Sequence, residues 1–208
     1  MVNSPIEHQK SAQGSVLRSL RYLMRPSLAG AMFRYAVTRL RYPRLRVGFF
    51  RTGKRASWRI GPHARISFGR GVTISEDFTA CVTGELRIGR NVFINRGCYI
   101  DAFESVVIGD DCLFGEWVSI HDMNHGIASS DVPFWQQPLA TALVVIGNNV
   151  WAGAKVTILP GVTIGDNVII GANAVVSRDI PANSLAVGVP ARVVRTLTAE
   201  ERPGAPLP

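Results

Sequence analysis

From Ile146 onward the apolar residues return every six positions, at Ile146, Ala152, Ile158, Ile164 and Ile170. Four places after each comes a second small or branched apolar residue: Val150, Val156, Val162, Val168 and Ala174. Compact residues often follow the lead, as at Gly147, Gly153, Gly165 and Gly171. A period of six fits neither an α-helix, at about 3.6, nor a lone strand, at about 2. It predicts a coil with three flat faces, each a short strand plus a corner, so that three hexads complete one turn. Lead residues then stack inward, and glycine- and asparagine-rich corners supply the backbone geometry that sharp turns need. No rung is stable alone, so the array must be long.

The same period runs earlier in the chain, more loosely. Ile60 and Ile66 are in phase, Val72 and Ile74 follow with a slip, and Ile88, Ile94 and Ile100 resume it. Ile108, Phe114 and Ile120 continue after an eight-residue step from Ile100, which requires a two-residue insertion at a corner. Between His121 and Leu143 the period vanishes, as expected of a loop expelled from the coil. Neither the frequent turn pairs of hairpins nor the helices of an α/β sheet are visible. The pattern predicts an all-β fold, a left-handed parallel β-helix of hexapeptide repeats. The expected division is a short, basic, partly helical extension over residues 1–55, the coil over 56–197 with loop 121–143 expelled, and a flexible tail over 198–208.

Composition agrees with one domain plus an extension. The 208 residues are 47% hydrophobic and 18% charged, and no stretch approaches the ~20 apolar residues of a membrane span. The polar start, Met1 to Lys10, lacks the apolar segment of a secretory signal, so a cytoplasmic protein is expected, peripheral at the inner face of the membrane if its basic segment binds lipid. Cys81, Cys98 and Cys112 show no paired spacing, which points to buried reduced thiols rather than disulfides or zinc.

Charge is divided unevenly. Residues 1–60 hold 11 Arg and two Lys against Glu7 alone, a net +12, whereas residues 61–208 hold ten bases and 14 acids, a net −4. Residues 14–41 read as two helical stretches separated at Pro26. Leu17, Leu20 and Met24 share one face of the first, with Arg18, Arg21 and Arg25 on another; the second runs from Ala29 to Arg41. Two roles fit: a cap over the open end of the coil, or a pair of membrane-surface helices drawn to anionic lipid. Nucleic-acid binding is not expected, because the segment lacks a recognisable module.

The segments GNNVWAGAKVTILPGVTIG, GANAVVSRDIP and AVGVPARVV, in order after an NHG loop, resemble the hexapeptide-repeat acyltransferases. The similarity covers about residues 58–197 and is nearest the maltose, galactoside and exopolysaccharide sugar O-acetyltransferase branch. It implies direct transfer from acetyl-CoA to a sugar hydroxyl, without a covalent acyl-enzyme, in a homotrimer whose sites lie between subunits. His125 of SIHDMNHG matches the family's catalytic histidine, with Asp122 as a candidate to orient it and His121 as a lesser candidate. The chain departs from the family at Met123, where a second histidine is common. An imidazole suits the task, because a sugar hydroxyl must lose its proton as it attacks the thioester.

The resemblance assigns Asn95, and with a less secure alignment Asp101, to the acceptor. It assigns Trp151, Gly153, Ala154 and Ala172 to the pantetheine arm of acetyl-CoA, and Ser177, Arg178, Arg192 and Arg195 to its nucleotide end, where the arginine fork suits phosphate. No metal is expected: a zinc site of the carbonic-anhydrase kind needs three coil histidines, and of the four in the chain His8 lies outside the repeat and His63 on its first rung. The other readings are an antibiotic O-acetyltransferase of the same fold and a non-catalytic scaffold. Phe134 and Trp135 are apolar for an expelled loop and are expected to pack on a neighbouring coil or wall the acceptor cleft.

Overall fold

The computed structural model describes residues 28–198 apart from Arg44 and Arg46. The first expected helical stretch, with Leu17, Leu20 and Met24, and the chain after Thr198 lie outside the described residues. The chain winds through three parallel sheets. One face stacks Arg51–Thr52, Thr73–Ile74, Phe93–Ile94, Leu113–Phe114, Trp151–Ala152, Ile169–Ile170 and Ser184–Val187, and is closed by the antiparallel strand Arg192–Thr196. The second stacks Ser57–Ile60, Thr79–Val82, Tyr99–Ala102, Ser119–His121, Thr157–Ile158 and Val175–Val176. The third stacks Arg65–Phe68, Glu85–Ile88, Ser105–Ile108, Val144–Ile146 and Thr163–Ile164. The result is the parallel β-helix that the hexads predict.

The lead residues form the core. Ile74, Ile94, Phe114, Ala152 and Ile170 make one inward column, and Ile88, Ile108, Ile146 and Ile164 another, all at most 3% exposed. Where one rung carries a large ring the next carries alanine, Ala152 beside Phe114 and Ala80 beside Trp58, which keeps the column filled without overpacking. Two corner columns have left-handed backbone. Gly71, Asn91, Asp111, Asn149, Asn167 and Asn183 hold φ between 54° and 77°. Asparagine tolerates that conformation and adds a ladder here: the Asn149 amide donates to Asn167 at 2.7 Å, and that of Asn167 to Asn183 at 3.2 Å.

The coil starts earlier than the expected boundary at residue 56. Arg51–Thr52 already pairs in parallel with Thr73–Ile74, and Thr52 is fully buried in the position that Ile74 takes one turn later. A polar lead is invisible to a hydropathy period. The early phasing also shifts: Trp58 is the buried lead of its turn, and Ile60 and Ile66 are only half-buried.

Helix α1, Leu28–Arg41, covers the N-terminal end of the coil. Ala31 is fully buried. The Tyr35 ring meets Phe49 and Phe50 edge-on at 5.4 and 5.7 Å, and Phe50 packs on Trp58 and Phe68. Two of its three arginines are turned inward. Arg34 Nε donates to the Thr52 carbonyl at 2.6 Å, and Arg39 donates to the Leu45 carbonyl. No described helix is long and apolar enough to cross a membrane.

The expelled loop is an arm with its own structure. Met123–His125 pairs antiparallel with Leu139–Thr141, and a 3₁₀ turn spans Phe134–Gln136. The buried Gln137 amide donates to the Ser129 and Val132 carbonyls, both at 2.8 Å, and holds the bend together. Phe134 and Trp135 are exposed, so in this single chain they pack on no coil.

Candidate active site

A groove of about 580 Å³ runs along the first face. Six of the residues expected at the site line it: Asn95, Trp151, Gly153, Ala154, Ala172 and Arg195. Leu113, Ile169 and Leu185 add an apolar wall, and Glu116 adds a carboxylate. The hexad builds this surface directly. Trp151 precedes the inward Ala152, so its side chain stands outside, flanked by Leu113 and Ile169 of adjacent rungs. Gly153 is needed because neighbouring corners nearly touch: a Cβ there would lie 2.7 Å from the Ala172 nitrogen. The Gly153 corner therefore carries no side chain.

Other expected donor residues do not join the groove. Ser177 and Arg178 are exposed at a corner beyond it, and Arg192 is exposed with Nη1 donating to the Ala191 carbonyl at 2.9 Å. Of the four nucleotide-end candidates, only Arg195 borders the groove within one chain.

The acid–base residues are arranged differently from expectation. Asp122 does not orient His125. Its side chain is fully buried and accepts the backbone N–H groups of Phe103, Glu104 and Ser105 at 2.8, 2.7 and 2.8 Å. It clamps the two-residue corner insertion that the Ile100-to-Ile108 step required. Burial pushes its carboxyl up, and the three N–H donors pull the other way. His125 is exposed on the arm, opposite Leu139.

Asp101 is engaged within the chain. It is 7% exposed, and its Oδ2 lies 2.8 Å from His121 Nδ1 across the ladder of the second face. Asn95 sits at the preceding corner, its Oδ1 accepting the Arg96 N–H at 2.8 Å. The two expected acceptor residues thus lie on different surfaces.

Residues that the sequence did not single out surround this pair. The Tyr99 ring is 5.7 Å from that of His121, and its hydroxyl lies 3.3 Å from Cys81 Sγ. The contact with Cys81, then burial, then the charge of Asp101 push the Tyr99 phenol up, so it keeps its proton. Only the ladder register reveals these neighbours. The three cysteines are buried free thiols, and burial raises Cys98 to about 12 and Cys112 to about 11.

Residues 143–178 match the family described as bacterial transferase hexapeptide (six repeats). The chain carries that repeat and shares the fold of the hexapeptide-repeat transferases. The chain is 38% identical over 143 residues to WbbJ of Escherichia coli (strain K12), which is named as an O-acetyl transferase of lipopolysaccharide biosynthesis; the match covers 65% of this chain and 66% of WbbJ. It is also 38% identical over 121 residues to the galactoside O-acetyltransferase of Escherichia coli (strain K12), covering 56% and 57%. The chain thus spans just under two thirds of one relative's length and 57% of the other's. Among solved structures, a galactoside acetyltransferase in complex with coenzyme A is similar at a TM-score of 0.53 and 26% identity, over 95% of this chain and 86% of that chain. AntD, an N-acyltransferase from Bacillus cereus in complex with dTDP and 3-hydroxybutyryl-CoA, shares the fold at a TM-score of 0.63 and 22% identity, over 73% and 82%.

Proposed function

We propose that this chain is an acetyl-CoA-dependent O-acetyltransferase whose acceptor is a sugar hydroxyl, in a polysaccharide, a lipid-linked sugar or a glycoside. The observation that carries the reading is the groove shared by Trp151, Gly153, Ala154, Ala172 and Arg195. Its apolar wall and the side-chain-free corner at Gly153 suit a pantetheine arm, and Arg195 supplies a cation for the charged end of CoA. Relatives named as O-acetyltransferases and the CoA complex of a similar chain support the same donor.

In this mechanism the imidazole of His125 takes the proton of the acceptor hydroxyl as its oxygen attacks the thioester carbonyl. The C–S bond breaks, the imidazolium returns the proton to the departing thiolate, and the products are the acetyl ester and CoA. Backbone N–H groups of the coil stabilise the transient oxyanion.

His125 is absent from the lining of its own chain's groove and stands exposed on the arm with Phe134 and Trp135. A homotrimer follows as part of the proposal, with the arm of one subunit closing the groove of the next. A protein that consumes acetyl-CoA this way works in the cytoplasm, where that donor is made.

The test is transfer of labelled acetyl from acetyl-CoA to a panel of free, nucleotide-linked and lipid-linked sugars, with chloramphenicol and a streptogramin as comparison. Label appearing on a sugar hydroxyl is the expected outcome. Label on the antibiotics alone, or no binding of CoA by calorimetry, would end the sugar reading.

A further inference from the structure

Helix α1 carries a second apolar face besides the one that packs on the coil. A helix on a soluble surface turns its apolar stripe to the core and its charges to water. Here Arg34 and Arg39 are turned toward the coil and bonded to the carbonyls of Thr52 and Leu45. The opposite face presents Ala29, Met32, Phe33, Ala36, Val37 and Leu40, all exposed; Phe33 is 71% and Leu40 84% exposed. Those positions fall three and four apart, so they form one continuous stripe. Among the described residues nothing covers it. Phe49, exposed and in contact with Tyr35, borders the same end of the coil. Contiguous exposed apolar surface of this kind marks a contact site.

The charge around it says what the contact is. From His8 to Ser75 the sequence holds 15 Lys and Arg and no Asp or Glu. On the helix and the first turn of the coil, Arg41, Lys54, Arg59 and Arg70 are exposed and form no ion pair with a described residue. A second copy of this end would bring like charges together. A bilayer rich in anionic phospholipid answers both features, taking apolar side chains at the headgroup boundary and basic ones at its charged surface.

We infer that the outer face of α1 is a membrane-docking surface for anionic phospholipid, holding the coil with its N-terminal end toward the bilayer. Phe33 and Leu40 enter the interface, and Arg41, Lys54, Arg59 and Arg70 lie near the headgroups. The fixed inward bonds of Arg34 and Arg39 mean that the helix presents this face without first unfolding or turning. The inference does not depend on acetyl transfer.

Full-length protein would be sedimented with vesicles of phosphatidylglycerol and phosphatidylcholine, and with phosphatidylcholine alone. Wild type is expected to pellet with the anionic vesicles, far less with the neutral ones, and progressively less as salt rises. The double variant F33E/L40E, at two exposed positions, is expected to bind at least about tenfold more weakly with its thermal midpoint and CoA binding unchanged. Three outcomes overturn the inference: wild type left in the supernatant with anionic vesicles, a variant that pellets as well as wild type, or a variant whose oligomer dissociates on size exclusion before any lipid is added. The last would assign the face to another copy of the chain.

Discussion

His121 Nδ1 lies 2.8 Å from Asp101 Oδ2, one rung away on the second face, while His125, four residues on, stands on the exposed arm. The two histidines are therefore built for different work. His121 is fixed to the coil, and His125 is exposed on the arm. His125→Ala is expected to lower kcat by about 10²–10⁴, the range of a lost general base, with CoA affinity nearly unchanged. His121→Ala is expected to cost far less in kcat. Single-turnover rates with saturating acetyl-CoA separate them, and the reverse ranking would move the base to His121.

Asp122 serves the fold. Asp122→Ala would leave the N–H groups of Phe103, Glu104 and Ser105 without their protein acceptor. Each such loss costs about 1–3 kcal/mol, so chemical denaturation should show a clear drop in stability. Asp122→Asn keeps one acceptor oxygen and should fall between. A variant as stable as wild type would mean that the corner finds other partners.

Ala172 leaves the donor groove open and is itself exposed. Ala172→Phe should fill the groove while leaving the core untouched. The expected result is a KM for acetyl-CoA raised about tenfold or more, equivalent to at least ~1.4 kcal/mol of binding, with an unaltered thermal midpoint. Unchanged KM would place the donor elsewhere.

Acid should weaken the coil through its side-chain ladders. Arg55 holds Asp77 below the usual carboxylate range, Arg87 does the same to Glu85, and Arg90 to Asp110. Such groups bind fewer protons folded than unfolded, so their stabilisation is present above the ordinary carboxylate pKa of about 4 and is lost as pH falls through their lowered values. All three pairs lie at the surface, so the contribution is small. Thermal midpoints should be flat from neutrality to about pH 5 and fall below about pH 4, and Asp110→Asn should shallow that decline.

The coil was legible in the sequence for one reason. Parallel rungs put residues about 18 apart side by side, as with Trp151 and Ile169 or Ala152 and Ile170. Period therefore becomes position for the inward columns, whereas the grouping of Trp151, Gly153, Ala154 and Ala172 came from the family resemblance. Where the period carries insertions the translation fails. Thr52 was missed because its lead position is polar, and Asp122 was misjudged because its partners, Phe103 to Ser105, sit on the inserted corner of the previous turn.

The hexads alone determined the three-sided coil and its inward columns, because a strand's side chains alternate in and out whatever lies beyond them. Tertiary structure decided what depends on register and on surfaces from separate elements: the pairing of His121 with Asp101, the burial of Asp122, and the direction in which α1 turns its apolar face. Those outcomes follow from which carbonyls and N–H groups need partners in three dimensions, as when Thr52 and Leu45 draw Arg34 and Arg39 inward, and no spacing along the chain records that need.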